Sequence, residues 1–325
     1  YYGLVWGAQR AGLRYVCISS RLTQDETDYI LENSGARMLV VSASLGDAAL
    51  ALTADVDRYV LGGDLPGFAC WESAVAAMPD TPIADERAGT DMLYSSGTTG
   101  RPKGVRVPLP AEPAIDAPNA LVALASMVFG INGQSIYLSP APLYHAAPLR
   151  WSMTIHRLGG TVVLMKKFDP EGALAAIEGY RCNSAQFVPT HFVRMLKLPA
   201  EVRARYDVSS MRSAIHAAAP CPVPVKAAMI DWWGPVILEY YAGSEGNGMT
   251  YVNSHDWLTH QGTVGRPILG TVHIMGEDNE TELPVRSEGT VFFESEQTFE
   301  YHDDPEKTKS SRNSKGWSTL GDVGW

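Results

Sequence analysis

Helix signals and short apolar runs take turns along most of this chain, and that alternation constrains its fold more than any other feature. The segment LTQDETDYILENSG places Thr23 and Glu26 at capping-box spacing, so a helix starts there, and Gly35 supplies its stop. ARMLVVSA follows as a buried strand. Downstream, Val162 to Met165 reads as a strand, Asp169 caps a helix with Pro170 in its first position, and Gly179 ends it. NSAQFVPT is the next strand, and AIHAAAPCPVPVKAAMIDWWG with PVILEYYAGSEG continues strand, helix, strand. This predicts an α/β fold with mostly parallel sheets flanked by helices. Near Gly262 the pattern changes to short strands with polar turns, which predicts a small antiparallel, barrel-like β subdomain. The expected division is 1–262 for the α/β part and 263–325 for the small β part.

Bulk properties narrow the class. With 325 residues and 45% hydrophobic content the chain has ample material for a substantial core. Its formal net charge is −10, from 26 basic and 36 acidic residues without a basic block, which argues against a nucleic-acid partner. Cys17, Cys70, Cys182 and Cys221 are scattered without a CxxC pair and read as small buried residues in a reducing, cytoplasmic setting. The longest apolar run, ALVALASMVFGI at 120–131, is too short to span a bilayer and reads as a core helix. No signal peptide is visible. The opening YYGLVWGAQR reads as the middle of a helix and the closing GWSTLGDVGW lacks a polar tail, so the chain is expected to be cut at both ends. Trp232 and Trp233 read as core packing, and His255, His260 and His302 as surface residues; no histidine cluster has zinc spacing.

One stretch calls for a ligand. In YSSGTTGRPKGV, Tyr94 to Val105, the residues Gly97, Gly100 and Gly104 permit positive φ and close backbone approach. Ser95, Ser96, Thr98 and Thr99 add hydroxyls to exposed backbone N–H groups, forming an anion nest, and Arg101 and Lys103 add charge. A polyphosphate fits such a set. The standard phosphate-loop spacing is not met, because the lysine follows Gly100 by three residues and not by one. A shorter piece of the stretch would pass for a solvent-exposed turn.

YSSGTTGRPKGV resembles the signature loop of the adenylate-forming superfamily, which includes acyl-CoA synthetases, peptide-synthetase adenylation domains and luciferases. Other segments resemble that family's motifs in order: AGLRYVCISSRLTQDETDYILENSGARMLVV upstream, then PLYHAAP, then EYYAGSEGNG in place of the tyrosine-glycine-x-threonine-glutamate motif, and GWSTLGDVG in place of GWxxTGDxG. Several ordered motifs are far more specific than one loop. The resemblance implies an AMP-forming acid–thiol ligase using ATP, magnesium and coenzyme A. Such chemistry needs a metal ion, fixed donors and in-line positioning more than a protein nucleophile.

The same resemblance implies roles for single residues. Ser96, Thr98, Thr99 and nearby N–H groups, with Ser95, Gly97 and Gly100 in the loop, would hold the β- and γ-phosphates; Lys103 would be a phosphate contact or a solvated lysine. Glu245 would hold magnesium, as hard cations prefer carboxylate oxygen. Ser244, standing where the family has threonine, would reach the α-phosphate. Tyr241 would stack on adenine, with Tyr240 and Ala242 in the same nucleotide-binding motif. Ala242 replaces a glycine and adds a methyl group where the backbone could need room. Ala217, Ala218 and Ala219, in HAAAPCP, replace the glycines of the stretch that lines adenine. Asp322 would accept hydrogen bonds from both ribose hydroxyls. His145 would sit between the nucleotide and the acyl group. Each residue type also has a structural use: a cap for Glu245, core packing for Tyr241, a turn for Asp322.

Amino-acid-activating relatives place an aspartate after the aromatic of PLYHAAP, whereas His145 here is followed by Ala146, Ala147 and Pro148. A buried ammonium would lack a counter-charge. Leu143, Leu149, Trp151, Met153 and Ile155 suggest an apolar acid: fatty, aromatic or steroid-like. Similar enzymes carry a C-terminal lid past the GD motif, and the chain is expected to lack it and to turn over poorly alone. Two alternatives stay open, an acyl-AMP ligase loading a carrier protein and a non-catalytic nucleotide-binding remnant, and so does a homodimer.

Overall fold

The computed structural model describes residues 1–95, 101–112 and 114–325. They form two compact units, Tyr1–Ala117 with Glu300–Pro305, and Pro118–Phe299 with Glu306–Trp325.

The first unit holds two sheets. Met38–Ser42, Asp57–Leu61 and Ala69–Cys70 run parallel. Arg14–Tyr15, Thr90–Ser95, Lys103–Arg106 and Glu300–Tyr301 form a mixed four-stranded sheet in that order. The helix Gln24–Asn33 begins as its cap predicts: the N–H of Glu26 donates to the Thr23 hydroxyl, and the Glu26 carboxylate accepts from the Thr23 N–H at 2.8 Å.

The second unit is built on a seven-stranded sheet. Its order is Arg266–Leu269, Met249–Val252, Ile237–Tyr241, Ser213–His216, Ser184–Phe187, Ile136–Ser139 and Thr161–Leu164. The last five are mutually parallel, and the first two are antiparallel additions. Helices cover both faces. Pro170–Tyr180, Pro189–Leu196 and Val223–Trp233 pack around Phe187, Phe192 and Ile237 on one side. Ala120–Phe129 and Ala146–Arg157 pack around Tyr137, Ile215 and Tyr240 on the other. Neighbouring strand residues alternate between these two cores, as the pleat requires.

Three details differ from expectation. Gly179 does not end its helix; the helix runs to Tyr180, and Arg181 takes the left-handed cap at φ 55°. The run 120–131 is not buried all round. Asn119 caps its helix and Gly130 ends it at φ 68°, but only Ala125 and Phe129 of the helix are buried, and Met127 is 80% exposed. After Gly262, Thr271–Met275, Gly289–Glu294 and Ser318–Gly324 make an antiparallel three-stranded sheet, without barrel closure among the described residues. Two strands of that region, Arg266–Leu269 and Glu300–Tyr301, complete the edges of other sheets, which leaves too few to close.

No described helix is long and apolar enough to cross a membrane. Cys182 is buried and the other three cysteines are partly buried, all as free thiols. His255 and His260 are exposed, whereas His302 is partly buried with Nε2 2.8 Å from the Asn33 carbonyl oxygen.

Candidate functional site

In an open α/β sheet, ligands bind where connections leave the carboxyl ends of the parallel strands. In the second unit these connections carry His145 after Ile136–Ser139, Ala217–Ala219 after Ser213–His216, and Ala242–Gly246 after Ile237–Tyr241. The last two strands are neighbours, with His216 in register opposite Glu239.

Tyr241 ends its strand partly buried. Its hydroxyl donates to Asp322 Oδ2 at 2.8 Å, and its ring stacks on Phe293 at 6.0 Å between centroids. Burial, and then the Asp322 carboxylate, push the phenol far above its ordinary range, so it is a neutral donor at physiological pH. Asp322 is exposed on Ser318–Gly324.

The loop after Tyr241 is shaped around Glu245. A Cβ on Gly243 would stand 2.7 Å from Glu245 Oε2 and 2.7 Å from the Leu320 side chain, so only glycine leaves room for that carboxylate. Arg150, one turn into the helix Ala146–Arg157, donates from Nη1 to the Ser244 carbonyl oxygen at 3.0 Å. Asn247, fully buried, donates to the Ser318 hydroxyl at 3.1 Å and so ties the loop to the strand that carries Asp322. His145 stands at the N-cap position of the same helix without capping it, its ring 4.4 Å from that of Tyr144. Part of the imidazole reaches solvent, yet desolvation lowers its pKa and favours the neutral ring.

The model of the AMP-binding enzyme family matches residues 2–301. The chain belongs to that family. It is 31% identical over 347 residues to a 3-[(3aS,4S,7aS)-7a-methyl-1,5-dioxo-octahydro-1H-inden-4-yl]propanoyl:CoA ligase of Rhodococcus jostii, covering 98% of this chain and 63% of that protein. It is 29% identical over 331 residues to a long-chain-fatty-acid–CoA ligase of Mycobacterium tuberculosis, covering 99% and 63%. Among solved structures, an amide bond synthetase of Marinactinospora thermotolerans superposes with a TM-score of 0.81 at 28% identity, covering 98% of this chain and 63% of that one. The chain therefore spans a little under two thirds of these proteins.

The motifs of this member of the AMP-binding enzyme family fall into place unevenly. Ser96–Gly100 lie outside the described residues, and Ser95 ends a strand in register with Lys103. Lys103 is no free loop cation, since its Nζ pairs with Asp304 at 3.0 Å. Gly104 does not adopt positive φ; its missing side chain makes room for the Tyr94 ring, which a Cβ would meet at 3.0 Å. Tyr240 faces away from Tyr241 into the core, where its hydroxyl accepts from Trp151 Nε1 at 3.3 Å. Strand alternation explains this, because neighbours in a strand point to opposite faces. Ala242 keeps ordinary φ, and its methyl packs beside that core, so replacing glycine costs no strain there. Ala218 is different: it is exposed and sits at φ 74°, a conformation that favours glycine. Leu143, Leu149, Trp151, Met153 and Ile155 are all buried, with Trp151 and Ile155 in the core around Phe129.

Two features escaped the sequence reading. Arg150 touches the Glu245 loop, and its only signal was a charge inside an apolar helix. Beneath the strand ends, Lys226 and Glu239 form a fully buried ion pair with His216 against it. A lysine in VPVKAAMIDWW is the signal there, being a charge on a helix otherwise rich in apolar residues.

Proposed function

We propose that the protein containing this chain is an AMP-forming carboxylate–CoA ligase. Within a family of AMP-binding enzymes, the Tyr241–Asp322 contact beside the Glu245 loop carries this reading. Asp322 offers two carboxylate oxygens to the two ribose hydroxyls, and Tyr241 holds that carboxylate in place. Ala217–Ala219 line the adenine, and Ser244 meets the α-phosphate. Ser96, Thr98 and Thr99 hold the outer phosphates; Lys103 assists only with charge left over from Asp304.

The carboxylate oxygen of the acid attacks the α-phosphorus of ATP, and the bond to the β-phosphate oxygen breaks, releasing pyrophosphate. The coenzyme A thiol, losing its proton, then attacks the acyl carbon and AMP leaves. His145, whose neutral ring is favoured by desolvation, would accept a hydrogen bond near the acyl group.

Glu245, for whose carboxylate Gly243 leaves room, would hold magnesium, as hard cations prefer carboxylate oxygen. When bound it neutralises phosphate charge. Among the described residues no group of three or more His, Cys, Asp or Glu gathers as a metal site, so Glu245 and the nucleotide's own oxygens would hold it.

The absence of a counter-charge after His145 supports an apolar acid. CoA ligases for a bicyclic octahydroindenyl propanoate and for long-chain fatty acids among the relatives support the same class. The setting is cytoplasmic. The test is a panel of fatty, aromatic and steroid-like acids with the full-length protein, scored by AMP release, with mass spectrometry of the product when coenzyme A or an acyl carrier protein is supplied. Glu245→Ala should abolish magnesium-dependent AMP release. Normal turnover by that variant, or release with no acid in the panel, overturns the reading.

A further inference from the structure

His216, Lys226 and Glu239 form a buried polar cluster that no step above uses. Lys226 Nζ lies 2.5 Å from Glu239 Oε2, His216 Nε2 lies 3.5 Å from the same oxygen, and all three side chains are at most 6% exposed. Lys226 Nζ also sits 4.9 Å from the Trp257 ring centroid. Neither ring nitrogen of His216 has a hydrogen-bond partner among the described residues. Stability alone does not call for such a pair, since apolar residues of similar volume usually serve a core as well or better.

Its placement gives a reason. His216 immediately precedes Ala217–Ala219. Lys226 lies in the first turn of the helix that follows Pro222, and its N–H donates to the Pro222 carbonyl oxygen at 3.1 Å. Glu239 lies two residues before Tyr241 on the same face of the strand. The cluster thus grips both ends of the segment 217–222 and the strand that ends in Tyr241. That segment contains Ala218 in the left-handed region, a conformation that persists only where the surroundings over-determine it.

Resting on the ligase reading above, we propose that Lys226 and Glu239, with His216 against them, are positioning residues that fix the two nucleotide-facing strand ends relative to each other. Burial pushes Lys226 down and Glu239 up, each toward its neutral form, and their contact opposes both shifts. Burial and the nearby lysine hold His216 at about 3, so the ring is neutral. A directional contact of this kind specifies register in a way that apolar packing does not.

The test compares Mg-ATP affinity by titration calorimetry with thermal stability, in the full-length protein. The variant Lys226→Met with Glu239→Leu should melt close to the unaltered protein yet bind ATP about tenfold or more weakly, with KM for ATP raised more than KM for the acid. Glu239→Gln, which keeps the shape, should lose roughly threefold or more in affinity and serves if the double variant does not fold. Unchanged ATP affinity in the folded double variant, or in Glu239→Gln where it alone folds, overturns this proposal and leaves the ligase reading intact. Failure of the unaltered protein to bind ATP overturns both.

Discussion

The Tyr241 hydroxyl and the Asp322 carboxylate, 81 residues apart in sequence, meet at 2.8 Å. The contact fixes the orientation of an exposed carboxylate that would otherwise rotate freely. Asp322→Ala should therefore weaken Mg-ATP binding by about 10- to 100-fold, the range of one or two hydrogen bonds to a charged group. Tyr241→Phe keeps the ring, loses only the orienting donor, and should weaken binding less. Calorimetric titration ranks the two, and a larger loss for Tyr241→Phe would contradict the arrangement.

Ala218 stands at φ 74° with its side chain exposed, so its methyl contributes strain and little packing. Ala218→Gly should raise stability by about 1 kcal/mol, the left-handed penalty less the added entropy of the unfolded chain. Urea denaturation measures it; an unchanged or lower midpoint would show that the methyl contributes packing.

Arg150 reaches from the helix Ala146–Arg157 to the Ser244 carbonyl oxygen at 3.0 Å. Arg150→Met preserves much of the stem and removes the donor. Stability should fall by about 1 kcal/mol or less, while ATP–pyrophosphate exchange falls by about tenfold or more, because the loop before Glu245 loses its tether. Equal exchange rates would remove Arg150 from the site.

His191 is buried and stacked on Phe168 at 3.9 Å between centroids, and desolvation, helped by Arg194, pushes it down to about 4. The folded form thus excludes a proton that the unfolded chain takes up near pH 6.5. Stability is fully present above that pH and declines as pH falls from about 6.5 to about 4, with a slope of at most about 1.4 kcal/mol per pH unit for this histidine. His191→Gln should flatten the acid limb of the melting-temperature profile; an unaltered limb would exclude His191 as a source of that slope.

Features written in a few adjacent residues were legible from sequence. Thr23 with Glu26, and Asp169 with Pro170, start their helices where expected because a cap involves only its own first turn. Gly179 misled because a glycine can stay helical, and Arg181 accepted the left-handed turn instead. The motif puts Tyr240 with Tyr241, although strand geometry separates them. The buried Lys226–Glu239 pair and the seat of His302 against Asn33 depend on tertiary contacts that no local spacing encodes.

The opposite facing of Tyr240 and Tyr241 makes adjacent codons answer to separate demands, one to the filling of the interior and the other to the Asp322 partner. A one-codon deletion between Ile237 and Tyr240 would trade the two rings between the faces of the sheet, turning one phenol onto the face of Glu239 and drawing the partnered one into the core around Phe129. This strand should accordingly tolerate changes of letter far better than changes of length.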